Sequence, residues 1–371
     1  MSRFTGRAML AATAAASLAL VATPTAGAHS SQHHPKKWDR TLNEEVLAPF
    51  QISVDQKKVY IADGFTGVVS RIDHGELTPL ITFPGEVAGL DVIDSGRAIA
   101  YTTTDGSGNT TLTVHRAGGT DVVADLSGYE QEHNPDRQVQ YGLLDTAATE
   151  CTTGQDWLVA ATGGPATYTG LVDSHPYSVV SLGHGSWAVA DAAGNDILAV
   201  SPGGHVSTMA VLPRQPLTLT ADRLAALGAP PEASCLAGKT YAFEPVPTDV
   251  ERGPGGRLFV STLPGGPEDP SLGARGSVYE VNPWTGTSKR LATGFLGATN
   301  LAVTPDGTAY VTELFAGSIS KVSRRGTVST FRHLDGALAV EVAGNTLYVG
   351  TMAPMGENGP EGTGSVQTFR R

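Results

Sequence analysis

The stretch Asn300-Leu301-Ala302-Val303-Thr304-Pro305-Asp306-Gly307-Thr308-Ala309-Tyr310-Val311-Thr312-Glu313 reads as an apolar strand, a Pro-Asp-Gly turn and a second β-branched, aromatic strand. That is the signature of a β-hairpin. Weakened copies begin at Ile52, Leu90, Val179, Val250 and Leu338. The shortest intervals between these anchors are 37 and 38 residues, about the length of one propeller blade. Most copies continue into a third strand, such as Gly276-Ser277-Val278-Tyr279-Glu280-Val281, and then a fourth, such as Thr78 to Phe83. Four antiparallel strands repeated six times predict an all-β, six-bladed β-propeller. The sixth unit ends at Arg371 one strand short, and Leu42 to Ala48 is the expected replacement, joining the two ends of the chain in one sheet.

Composition narrows the function classes. The 371 residues carry 25 basic and 36 acidic side chains, a net charge of −11. No cluster of Lys or Arg exceeds two adjacent residues, which argues against nucleic acid as a partner. After the first segment no apolar run is long enough for a membrane span. That first segment has Arg3 and Arg7, an apolar stretch from Ala8 to Ala22 and an Ala26-Gly27-Ala28 exit, so 1–28 reads as a signal peptide. A polar tail, 29–40, with three histidines and no fixed geometry follows, and 41–371 is expected to be one propeller domain, secreted and monomeric. In an oxidising compartment the only two cysteines, Cys151 and Cys235, are expected to form a disulfide. Their number excludes a Cys₄ or Cys₂His₂ zinc site.

The long intervals are explained by insertions at 127–174, 213–245 and 263–275. Connections alternate between the two faces of a disc, so these and the tract Met352 to Gly364 fall on one face, where binding surfaces are usually built. Thr220 to Gly228 reads as a short capped helix. A rival count of seven blades needs strands inside 127–174, where Trp157 to Ala161 and Val139 to Leu144 are the only candidates.

Three segments carry a resemblance: Tyr129-Glu130-x-x-His133-Asn134-Pro135-Asp136, His175-Pro176-Tyr177-Ser178, and Val189-Ala190-Asp191-Ala192-Ala193-Gly194-Asn195-Asp196. Together with Pro247-Thr248-Asp249-Val250 and the Thr293-Gly294-Phe295 tract, they resemble the ScyD/ScyE family of exported proteins over roughly 41–371, with Asp136 to Cys151 departing from the pattern. The resemblance implies an exported six-bladed propeller and transfers no catalytic residue, since that family has no established activity.

Nucleophile motifs are absent: there is no Gly-x-Ser-x-Gly elbow in a strand-to-helix context, no His-Glu-x-x-His and no phosphate loop. Two rings remain. The residues just before the anchors are Gln51, Gly89, Ser178, Asp249, Asn300 and Ala337, which converge on the channel in a closed ring. Gln51, Ser178, Asp249 and Asn300 would suit a ligand, and Asp249 with Asn300 a hard cation such as Ca²⁺; a solvated channel wall needs the same polarity. The fold analogy is to six-bladed calcium-dependent lactonases. The second ring, Asp63, Asp191 and Glu313, ends the second strands of blades one, three and five, and would attract cations or basic ligands. Asp before a Gly/Asn loop also caps its own backbone, a role that fits Glu313 poorly. His175, beside Pro176, is the one residue placed to act as a general base, although a loop histidine next to proline is the plainer reading.

These features favour a non-catalytic module binding a small molecule, glycan or protein. The alternative is a calcium-dependent hydrolase or lactonase at the channel mouth.

Overall fold

The computed structural model describes residues 39–144, 151–267, 269–357 and 359–371. The expected signal peptide and nearly all of the tail lie outside them. Six four-stranded antiparallel sheets follow one another along the chain, each with its strands in sequence order from the inside out, except at the closure. Their innermost strands are Pro49–Asp55, Glu86–Ile93, Pro176–Gly183, Pro247–Arg252, Ala298–Val303 and Ala337–Ala343, in blades 1 to 6. Each packs against the next and the sixth packs against the first, so the ring closes.

The sixth blade takes three strands from the end of the chain, Ala337–Ala343, Thr346–Thr351 and Ser365–Arg370, and its outermost strand from the beginning. That outer strand is Arg40–Asn43, with Arg40 opposite Thr368 and Thr41 opposite Gln367. The strand expected over Leu42 to Ala48 is therefore displaced. Only Leu42 and Asn43 of that stretch are in the strand, while Val46 and Ala48 turn inward as buried residues ahead of blade 1.

Successive side chains on a strand face opposite sides, so each blade is apolar on both faces. The core is accordingly six wedges between neighbouring blades. Leu112 and Val114 of blade 2 meet Trp187 and Val189 of blade 3. Ala190 and Ile197 meet Val250 and Val260 at the next junction. The wedge between blades 6 and 1 joins Ala339 and Val366 to Ile52 and Ile61. Each fully buried aliphatic side chain here contributes about 1.5–3 kcal/mol.

A seventh four-stranded sheet lies outside the ring. The first two insertions build it from Thr167–Thr169, Gln140–Leu143, Thr240–Phe243 and Gln215–Thr218, in that order. They also form helices α1 (Leu126–His133), α2 (Thr152–Thr162) and α3 (Ala221–Ala226), the last capped by the Thr220 side chain as its composition predicts. Trp157 to Ala161, a strand candidate in sequence, lies within α2. Leu143, Leu158, Leu224, Leu236 and Tyr241 form a core of their own, joined by Leu272 from the third insertion. Cys151 and Cys235 form a disulfide, with Cα atoms 5.7 Å apart, that ties the start of α2 to the 3₁₀ turn Pro231–Leu236. The insertions thus have a packed interior as well as a covalent tie.

Candidate functional site

All six innermost strands carry a β-bulge at one level. The register shifts lie at Pro49/Gln51, Val87/Leu90, Pro176/Ser178, Pro247/Asp249, Ala298/Asn300 and Ala337/Ala339. A bulge adds a residue outside the ladder and re-aims its side chain. The extra residues are Phe50, Tyr177, Thr248, Thr299 and Leu338, with Ala88 in blade 2. Phe50 and Tyr177 come from blades 1 and 3, yet their rings meet edge to face, 6.0 Å between centroids, across the small residues of blade 2. Phe65 packs on Phe50 at 6.1 Å and is exposed. On the far side Phe50 adjoins a cluster of Leu314, Leu338 and Met352 with Phe315 and Met355. The mouth is a largely apolar, aromatic rim interrupted by two threonines.

Beneath it sits the polar hub. Gln51, Ser178, Asp249 and Asn300 are brought together, and each is buried. Asp249 Oδ1 accepts from Ser178 Oγ at 2.5 Å, the Val250 amide at 2.9 Å and, across the axis, Gln51 Nε2 at 3.3 Å. Its Oδ2 accepts from the Leu301 amide at 2.8 Å, and Asn300 Oδ1 from the Val340 amide at 2.8 Å. Gly89 fills the blade 2 position because a Cβ there would stand 2.9 Å from both the Ser178 carbonyl carbon and Thr102 Oγ1. In blade 6 the equivalent residue is Ala339, opposite Gly350, and not Ala337, whose partner Thr351 places it one bulge earlier.

These contacts have a common purpose. The inner edge of each blade presents amides with no strand to receive them. At five successive junctions a side chain of one blade accepts an amide of the next: Ser53 from Val92, Asp91 from Ser181, Ser178 from Val250, Asp249 from Leu301, and Asn300 from Val340.

Two residues further along the strands lies a carboxylate set with no counterpart in the sequence reading: Asp91, Glu251 and Glu341, from blades 2, 4 and 6. Asp91 and Glu251 stand two positions after Gly89 and Asp249, and so on the same strand face, whereas Glu341 does so only relative to Ala339, which the bulge and not the sequence identifies. Burial pushes Asp91 up to about 6. Burial, then the charges of Glu341, Asp249 and Asp91, push Glu251 well above the usual range. Raised carboxylates bind protons more tightly in the folded state, so their stabilisation is complete below the unfolded value and is lost as pH rises through the folded one. In chelator, the unfolding free energy from urea titration is therefore expected to fall between pH 4 and 7, with Asp91 alone contributing up to about 3 kcal/mol. A flat or rising profile refutes this.

Asp63, Asp191 and Glu313 are buried, and each spends its oxygens within its own blade. Asp63 receives the amides of Leu47 (2.7 Å) and Ala48 (3.2 Å), Asp191 that of His175 (2.7 Å), and Glu313 that of Leu296 (2.8 Å). In all three blades the acid at the end of the second strand holds the loop that leads into the first. Glu313 does this as fully as the aspartates, its second oxygen accepting from Ser320 Oγ at 2.5 Å. His175 stacks on Tyr177 at 4.7 Å, and its Nε2 lies 2.5 Å from Glu86 Oε1, a partner 89 residues away. Burial lowers the imidazole pKa, but the hydrogen bond and charge of Glu86 together with the charges of Asp191 and Asp173 outweigh it, so the net shift is upward.

Neither a family model nor a curated protein matches the chain. Solved structures do. A catalytically inactive virginiamycin B lyase from Staphylococcus aureus with quinupristin is 13% identical, with 89% of this chain and 98% of that one covered and a TM-score of 0.50. A Thermus thermophilus protein described as a candidate oxidoreductase (glucose dehydrogenase) is 15% identical, with 89% and 98% covered and a TM-score of 0.51. A Bacteroides thetaiotaomicron protein of unknown function is 11% identical, with 90% and 75% covered and a TM-score of 0.52. At such identities the likeness is one of architecture: this chain is a six-bladed β-propeller with long connections on one face.

Proposed function

We propose that the protein is an exported, non-catalytic binding module of the ScyD/ScyE kind, one propeller domain over 41–371 behind a signal peptide. Its bulge ring holds a small molecule or glycan unit with an apolar face. The observation that carries this reading is the aromatic rim of Phe50, Phe65 and Tyr177 above a hub whose polar atoms are largely committed to one another. Flat aromatic surfaces bind apolar ligand faces at little cost in side-chain entropy. The disulfide supports export, and among the described residues no helix is long and apolar enough to cross a membrane. Thermal melting against a panel of soluble oligosaccharides and uncharged aromatic probes tests the reading. At one hundred times its dissociation constant a true ligand adds about 2.7 kcal/mol and raises the melting temperature by a few degrees. Tyr177→Ala and Phe65→Ser are expected to abolish that rise. A panel without effect, or a rise that survives both substitutions, overturns the assignment.

One observation supports a calcium-dependent hydrolase at the hub: Gln51 Oε1 is buried beside Asp249 without a hydrogen-bond partner. Incubating the protein with chromogenic lactones in millimolar calcium decides this reading, and no hydrolysis removes it.

A further inference from the structure

The motif segments Tyr129 to Asp136 and Asp191 to Asp196 come together where α1 lies against blades 2 and 3. Glu130 lies on α1, Asn134 caps its end in the left-handed region at φ 35°, and Asp136 follows in the next turn. Asp191 and Asp196 face each other across the turn between the second and third strands of blade 3. A Cβ on Gly194 would stand 3.3 Å from Asp191 Cγ and 3.5 Å from Asp196 Oδ1, so the two carboxylates flank that glycine. Asn195 ties the segments by donating from Nδ2 to Asp136 Oδ2 at 3.1 Å, and the Tyr141 hydroxyl donates to the same oxygen at 2.9 Å.

Five other oxygens of the cluster have nothing to receive. Both oxygens of Asp196, Oδ1 of Asp136 and Oε1 of Glu130 are buried without a hydrogen-bond partner, on side chains 0%, 0% and 2% exposed. Asn134 Oδ1 is buried without one as well. The charges acting on Asp196 are those of Asp191, Glu130 and Asp136, all negative. Buried charges are normally paired or coordinated to a metal.

We propose that this cluster is a binding site for a hard divalent cation, calcium by its ligand chemistry, which fastens α1 and the first insertion to blade 3. The site is separate from the hub and independent of the binding reading above. Protonation alone does not answer the geometry, because a neutral Asp196 would still bury an O–H and a carbonyl oxygen with no partners. A cation satisfies both oxygens at once. Calcium accepts six to eight oxygens in flexible arrangements, carboxylates and amide carbonyls alike, whereas magnesium demands a near-ideal octahedron. Among the described residues no three acidic, imidazole or thiol groups already stand at ligand distance from one point. A bound cation would therefore draw these carboxylates closer together than they stand here.

Terbium luminescence excited through tyrosine tests the site in the full chain purified in chelator, because Tyr141 touches the Asp136 carboxylate. Wild type is expected to sensitise terbium, with calcium competing and magnesium competing poorly. Asp196→Asn and Glu130→Gln are each expected to weaken binding roughly tenfold or more. Gln51→Met, which removes the unpartnered hub oxygen together with the Nε2 donor to Asp249, is expected to leave the signal in place in protein that still melts cooperatively. Metal-free Asp196→Asn should melt no lower than wild type, because a repelling charge is gone, and should no longer gain from calcium. Absence of sensitised emission from wild type overturns the proposal. So does a signal that survives both cluster substitutions, or one lost only in Gln51→Met.

Discussion

A chain lacking residues 39–48 is expected to have no cooperative melting transition at 37 °C or above. The loss goes well beyond one short strand. Arg40–Asn43 covers the Ser365–Arg370 edge, and Asp39 pairs with Arg332 at 3.1 Å. Asn43 Nδ2 reaches the Gly75 carbonyl at 2.9 Å, linking blade 6 to blade 1. Val46 and Leu47 offer their carbonyls to the amides of Gly364 and Ala353, each at 2.7 Å. Without the segment, Asp63 stays buried and loses the amides of Leu47 and Ala48. Removing one partner of a buried charged group costs about 3–5 kcal/mol, and the exposed blade edge adds to it. Against a total of about 5–15 kcal/mol, little stability is left. Val46→Asp, which leaves the strand intact and charges the blade 6–1 wedge, should destabilise less than the deletion. A trimmed chain that melts within a few degrees of the full one rules out ring closure by the chain's two ends.

The second large effect is expected at Asp249. Its two oxygens collect donors from blades 1, 3, 4 and 5, so this one carboxylate connects most of the ring. Asp249→Ala strands the Leu301 amide, Ser178 Oγ and Gln51 Nε2 in a buried place and opens a void. Each orphaned group costs about 1–3 kcal/mol, so a total near 4 kcal/mol is expected. The matching substitution in the carboxylate set below, Glu341→Gln, should instead be neutral or stabilising above pH 7, because it removes a carboxyl that burial forces to keep a proton which the unfolded chain releases. Urea unfolding of the two variants at pH 7.5 gives the comparison. If Asp249→Ala cost less than about 1 kcal/mol, the hub would not be the fastening described.

The ring was legible in sequence because each blade repeats one pattern, alternating apolar strands punctuated by Gly, Asp and Asn turns, and such patterns follow from local geometry. What was misread has a local reason too. In Ala337-Leu338-Ala339-Val340 either aliphatic residue makes a plausible anchor, and only the bulge, which inserts a residue without changing composition, selects Val340. Leu42 to Ala48 has the better strand composition, yet Arg40–Asn43 pairs, because Val46 and Ala48 are drawn into the wedge between blades. Trp157 to Ala161 is a short apolar run, which periodicity cannot assign to strand or helix, and only the packing of Leu158 into the insertion core shows which it is. The hub residues were found because they recur at one position in the repeat. Glu86 was not, because its partner His175 is brought close only by folding. The Glu130–Asp136–Asp196 cluster was visible as motif residues, but its members belong to two distant segments whose meeting depends on the insertion.

The six bulges have a practical consequence. A residue that stands outside the hydrogen-bonded ladder can change its side chain without disturbing strand pairing, and here six such residues surround one axis. Phe50 and Tyr177 are thus the positions at which an experimenter can retune what the opening accepts, whereas Ala88 and Leu338 are buried and the Thr248 and Thr299 hydroxyls donate to carbonyls of the next blade, so changes there reach the ring itself.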